Sequence, residues 1–190
     1  GGSGNGSNIY LRGIGSSSIS AAFDQSVAIN IDGVVVNRGR FIHNAYLDMS
    51  QIEVLKGPQS LYFGKSATAG VISIKTNDPT DQFEAEFGVG VETEHETTFF
   101  EGVISGPISD NFLARLAFGT SETDELRENY SFGNDPMPYG NGTKPFFGEE
   151  STNARLTLLW TPTETLTAKL KYQYSKYEND GGGTMYQEEW

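Results

Sequence analysis

Through the second half of the chain, apolar and polar residues alternate. Phe83, Ala85, Phe87, Val89 and Val91 share one side of an extended segment, with Glu84, Glu86, Gly88, Gly90 and Glu92 on the other. A period of two predicts a strand with one apolar and one polar face. Phe100, Gly102 and Ile104 continue it in a second strand, which Gly106-Pro107-Ile108-Ser109-Asp110 closes as a predicted short turn. Phe112, Ala114, Leu116 and Phe118 then oppose Leu113, Arg115, Ala117 and Gly119. Glu125 to Glu150 has no periodicity and holds Asp135-Pro136-Met137-Pro138 and Asn141-Gly142, the composition of a long polar loop. Ala154, Leu156, Leu158 and Trp160 restart the alternation; Thr161-Pro162-Thr163-Glu164 reads as a tight turn, and Leu166, Ala168, Leu170, Tyr172 and Tyr174 as a fifth strand.

The first 78 residues have another texture. Gly1 to Asn8 is coil by composition, Ile9 to Gly13 a short strand ending at Arg12-Gly13, and Gly15 to Gln25 a Ser/Gly-rich loop. Val27 to Val36 reads as a strand bent at Asp32-Gly33, followed by a basic loop at Asn37 to Phe41 and a short helix over Tyr46 to Gln51. Ile52 to Leu55 is an apolar strand that breaks at Gly57-Pro58. Small residues, among them Gly64 and Gly70, lead into the β-branched run Val71-Ile72-Ser73-Ile74.

Gly64-Lys65-Ser66 downstream of Gly57 invites comparison with a phosphate-binding loop. That loop needs four residues between its glycines and a helix after the Lys-Ser, so that N–H groups converge on phosphate. Six intervene here, and a strand follows. The nucleotide reading fails.

The run EVLKGP…YFG…AGVISI resembles the signature of the plug domain of TonB-dependent outer-membrane receptors. Ile9-Tyr10-Leu11-Arg12-Gly13 and Ile31-Asp32-Gly33-Val34 resemble two further pieces of it, in the family's order. The resemblance covers about Ile9 to Thr76 and implies a fold that is mainly β: an α+β plug domain over residues 1–78, then the first five or so antiparallel strands of a large transmembrane β-barrel over 79–190. Short turns alternating with a long loop, and an apolar face ending in Trp160, Tyr172 and Tyr174, suit such a barrel. Five strands cannot close, and plugged transporters have about 22. The chain is therefore expected to be a fragment, with an export signal and TonB-recognition segment upstream and the remaining strands downstream.

Net charge is −12, divided as +1 over residues 1–78 and −13 over 79–190. The break supports a boundary near Asn77-Asp78-Pro79, and the acidic half speaks against nucleic acid as a partner. There is no cysteine, so thiolate metal sites and cysteine nucleophiles are ruled out. His43 and His95 lack ligand-spaced neighbours, so no metal site, cofactor or catalytic residue is expected.

The resemblance implies that Arg12 and Lys56 pair with glutamates on the barrel's inner wall, in strands beyond Trp190. Lys56 stands where the family often has Arg and lacks its bidentate fork. Glu53 is either a partner for a plug arginine or a charge on an exposed face. Ser18, Ile19, Arg38, Arg40 and Phe41 lie in loops that correspond to substrate-facing plug apices. Cations and an aromatic suit an anionic metal chelate, although a solvated basic turn explains Arg38 and Arg40 as well. Gly13, Asp32, Gly33, Gly57, Pro58, Gly64 and Gly70 are expected to shape turns. The implied function is active import of an iron-siderophore or similar ligand across the bacterial outer membrane. Its implied partners are the TonB-ExbB-ExbD complex, the ligand, and outer-membrane lipid with lipopolysaccharide. A passive porin-like or structural barrel and a soluble β-rich carbohydrate-binding module are the rival readings; the second requires residues 83–174 to form a closed soluble sandwich.

Overall fold

The computed structural model describes residues 9–16, 26–36, 46–64, 67–93, 96–123 and 148–179. The predicted loops carrying Ser18, Ile19, Arg38, Arg40 and Phe41, both histidines, and most of the 125–150 loop lie outside the described residues.

The amino-terminal part holds a two-stranded sheet and a four-stranded one. Strands β1 (Ile9–Leu11) and β2 (Ile14–Ser16) form an antiparallel hairpin turning at Arg12-Gly13. Both turn residues have positive φ, 54° and 78°, the pattern that matches strand twist in two-residue hairpins and that glycine adopts without strain. Strands β3 (Val27–Ile31) and β4 (Val34–Val36) repeat the device at Asp32-Gly33. The side chain of Asn30 accepts the Gly33 N–H at 3.0 Å. The single bent strand expected over Val27 to Val36 is thus a hairpin, because Asp-Gly reverses the chain completely.

Strand β5 (Met49–Lys56), helix α1 (Ser60–Phe63) and strand β6 (Gly70–Thr76) complete this part. The sheet order is β4-β3-β6-β5, with β3 and β6 parallel and the other pairs antiparallel. The helix expected over Tyr46 to Gln51 does not form. Met49 and Gln51 instead pair with Thr76 and Lys75, a bulge falling between them, and sheet pairing overrides local preference. Val27, Ile29, Val71 and Ile74 are buried, each contributing about 1.5–3 kcal/mol of apolar transfer. Gly57-Pro58 ends β5, and the Gly57 N–H returns to the Ala69 carbonyl at 3.1 Å. Gly64, with φ 80°, ends α1. At Gly70 a Cβ would overlap the Leu55 carbonyl oxygen and the Leu11 side chain, so this crossing requires glycine.

The rest is one antiparallel meander in the order β11-β10-β9-β8-β7: β7 (Glu84–Glu92), β8 (Thr97–Ser109), β9 (Phe112–Thr123), β10 (Glu149–Thr163) and β11 (Leu166–Asn179). Two predicted turns prove to be strand. Pro107 is accepted in β8 because β7 pairs no further than Ser105, so this end of β8 has an open side where a missing N–H costs nothing. Pro162 falls at a bulge between Trp160 and Thr163. The true reversals are at Asp110-Asn111 and Glu164-Thr165.

Phe87, Val89, Leu156, Trp160, Leu170 and Tyr172 lie on the outer face and are exposed, with no second sheet packed over them among the described residues. This speaks against the soluble-sandwich reading. On the same face, Phe87 and Phe118 close over Gly102, their centroids 6.3 Å apart. No helix among the described residues is long and apolar enough to cross a membrane; the strands, of 9 to 15 residues, are long enough.

Gly70→Ala is expected to destabilise the amino-terminal part by about 1–3 kcal/mol, since backbone at Leu55 must move. A thermal melt of the detergent-solubilised protein checks this, and an unchanged midpoint contradicts it.

Candidate functional site: the seam between the two parts

The polar face of the meander carries cations where it meets the mixed sheet. Arg115 on β9, Arg155 on β10, and Lys169 and Lys171 on β11 all occupy the positions opposite the apolar set, so the pleat aims them inward together. Their partners are a carboxylate or carbonyl at each of three places: the Asp32 turn, the Leu47-Asp48 turn, and the Thr76–Asp78 segment.

Arg115 donates Nε to Asp48 Oδ2 at 2.8 Å and Nη2 to Oδ1 at 2.6 Å. Both side chains are buried, 10% and 5% exposed. This is the planar two-bond fork that guanidinium forms with carboxylate. Arg155, only 3% exposed, donates Nη1 to the Leu47 carbonyl at 2.5 Å and Nη2 to Gln173 at 3.2 Å.

Lys171 is the second node. Its Nζ lies 3.2 Å from Asp32 and 3.3 Å from Asp78, and donates to Thr76 Oγ1 at 2.7 Å. Thr76 in turn donates its hydroxyl and main-chain N–H to the Asp32 carboxylate, at 2.6 and 3.0 Å. Lys169 pairs with the other oxygen of Asp78 at 2.5 Å. Burial works to raise the Asp32 carboxyl, but the Thr76 hydrogen bonds and Lys171 outweigh it and hold the group below the ordinary value. Asp78 is treated likewise: partial burial raises it, and Lys169 and Lys171 bring it lower. Beside this node an open cavity of about 1330 Å³ separates the sheet from the wall, lined by Asn30, Ser73, Lys75 and Gln173 among others. Farther from the short turns, the inner face carries hydroxyls and amides beside Glu101 and Glu149, with Ser121–Ser151 and Ser175–Asn153 contacts of 2.8 Å between neighbouring wall strands.

Of the predicted site residues, Arg12 is at the tip of the first hairpin and Lys56 at the end of β5, both exposed and apart from the seam. Among the described residues neither makes an ion pair. Glu53 accepts a hydrogen bond from Gln51 at 2.6 Å on the exposed face of β5. Gly13, Asp32, Gly33, Gly57, Pro58 and Gly64 all sit at turns or element ends, and Gly70 at the close crossing. Asp32 does more than turn the chain, since it anchors the Lys171 node. The wall cations were not singled out from the sequence, although a signal existed. Arg115, Arg155, Lys169 and Lys171 all alternate with apolar neighbours in an otherwise strongly acidic half.

A mixed sheet fastened to the polar side of a strand wall, whose other side is apolar, is the arrangement of a plug against part of the inner wall of a transmembrane β-barrel. Residues 1–71 match the family model of the TonB-dependent Receptor Plug Domain. The pesticin receptor of Yersinia pestis is 36% identical over 109 residues, 56% of this chain and 15% of that protein. The vitamin B12 transporter BtuB of Vibrio vulnificus (strain YJ016) is 31% identical over 137 residues, 68% of this chain and 20% of that protein. Among solved structures, the pyoverdine outer membrane receptor FpvA from Pseudomonas aeruginosa PAO1, bound to pyoverdine, superposes with a TM-score of 0.67 at 15% identity. That match covers 90% of this chain and 22% of FpvA. The chain thus spans about a fifth of the length of these relatives. It belongs to the TonB-dependent outer-membrane receptors, as plug and opening barrel strands, and its place is the outer membrane.

Because the folded Asp32 and Asp78 carboxyls lie below their unfolded value of about 3.9, the stabilisation they give is complete above that pH. It is lost as pH falls through the lowered folded values. The urea midpoint of the detergent-solubilised receptor should therefore hold from neutrality to about pH 4 and drop below it. Asp32→Asn should flatten part of that drop. Lys171→Met should cost about 1–3 kcal/mol at pH 7 by leaving Asp32 and Asp78 short of a cation; an unchanged midpoint would show the node to be ornamental.

Proposed function

We propose that the receptor containing this chain imports a scarce ligand, an iron-siderophore or similar compound, across the bacterial outer membrane and is not an enzyme. The observation that supports this best is the seam itself. A domain clamped to the inner face of a barrel wall obstructs the pore, and an obstructed pore needs energy to open. A ligand alone shifts the plug only by its differential affinity for two plug states. The TonB-ExbB-ExbD complex, drawing on proton-motive force, supplies the rest through a segment upstream of the plug.

In this reading the short turns at Asp110-Asn111 and Glu164-Thr165 face the periplasm, and the opposite strand ends, at Thr123 and Glu149, face outward. Outer-membrane lipid and lipopolysaccharide contact the apolar face. Ser18, Ile19, Arg38, Arg40 and Phe41 are the cargo-facing plug candidates, while Arg12, Lys56 and Glu53 remain candidates for pairing with strands completed elsewhere in the barrel. The names of the relatives span a siderophore and a vitamin, so iron chelate is the first cargo class to try.

A strain deleted for the receptor and starved of iron should regain growth when the full gene is restored, with one ferric chelate of a panel and only when TonB is intact. Growth that persists without TonB would overturn the active-import reading in favour of a passive channel.

A further inference from the structure

The segment joining plug to barrel is gripped from two sides. Asn77, immediately after β6, donates its main-chain N–H to the Asp48 carbonyl at 3.1 Å and its side-chain amide to the Asp48 carboxylate at 2.8 Å. The same carboxylate receives the Arg115 fork from β9. Asp48 therefore joins three segments that are distant in sequence: the turn before β5, the linker and the barrel wall. Its φ of 52° is left-handed, a region that Asp and Asn occupy more readily than most residues.

We propose that Asp48 is the positioning residue that seats the plug: through Asn77 and Arg115 it sets where the linker leaves the wall, and so keeps the resting pore shut. The role rests on the importer reading but concerns the closed state, before cargo or TonB acts. Burial is what makes the pair suited to it. An exposed ion pair exchanges with water and defines little geometry. A buried fork is different, because loss of either charge strands the other largely out of water. Arg115 has a second acidic partner in Glu84, but that contact is longer, 3.8 Å, and Glu84 is 57% exposed, so it replaces the buried fork poorly. The polarity is the reverse of that foreseen for Arg12 and Lys56, with the acid on the plug and the cation on the wall.

The test uses the full receptor in the outer membrane of cells lacking TonB, so that neither cargo nor energy coupling enters. Vancomycin, a hydrophilic antibiotic too large for ordinary porins, reports pore leakage, and receptor abundance is measured in the same membranes. Asp48→Asn keeps the shape and the left-handed preference but loses the charge. It should shift the seated-to-unseated ratio by on the order of 100-fold and sensitise cells to vancomycin at normal receptor abundance. Arg115→Gln should do the same, and the double variant should be no worse than either single one, since both remove one interaction. Unchanged vancomycin sensitivity in both single variants, at normal abundance, overturns the proposal. Should both variants be lost from the membrane, Asn77→Ala decides by the same readout, because it removes only the linker's side-chain arm: leakage supports the seat and tightness refutes it. Failure here would leave TonB-dependent growth intact, so the two readings fall separately.

Discussion

The Arg115–Asp48 fork is the contact on which the arrangement of the two parts depends. A guanidinium taken out of water at a domain boundary is tolerable only if its N–H groups meet acceptors in the right plane. Here the plane is set by the pleat of β9, and the acceptor by a left-handed turn just ahead of β5. Neither element could shift by one residue without losing the pair, since a one-residue slip would turn Arg115 to the lipid face. The register of the meander and the position of the plug are thus mutually determined.

The Lys171 node adds a second point of attachment, and two points fix an orientation where one allows rotation. Its chemistry differs from the fork. Lysine is a compact charge with three donors and suits a place where Asp32, Asp78 and Thr76 converge from different directions. Arginine at 115 suits a single planar carboxylate. Of the seven basic residues in the acidic half, four (Arg115, Arg155, Lys169 and Lys171) meet the plug at this seam, against the overall sign of that half.

Much of this was legible beforehand, and what was not has physical causes. The period of two located all five wall strands, and Gly57-Pro58 marked a real strand end, whereas Asp32-Gly33, which reads as a bend, is a full reversal. Strand ends were misplaced at Pro107 and Pro162, because proline reads as a breaker unless one knows which edge of the strand is unpaired. Tyr46 to Gln51 looked helical because its extended form exists only through pairing with β6. Inward-facing cations could have been read from their alternation with Leu116, Leu156, Leu170 and Tyr172. Their partners could not. Asp48 and Arg115 are 67 residues apart, and only the packed arrangement brings that turn to that strand.

A stopper that must be both tight and removable poses a conflict, and the distribution of polar contacts along the wall resolves it. Near the short turns, charged forks and nodes hold the linker region with buried, directional bonds. Toward the other end, the Ser121–Ser151 and Ser175–Asn153 bonds join wall strands to one another. Stranding a buried charge costs several times the roughly 1 kcal/mol of a neutral contact exchanged for water. Among the described residues the hold on the plug is therefore concentrated near the short turns, and it should give way last where Asp48 meets Arg115.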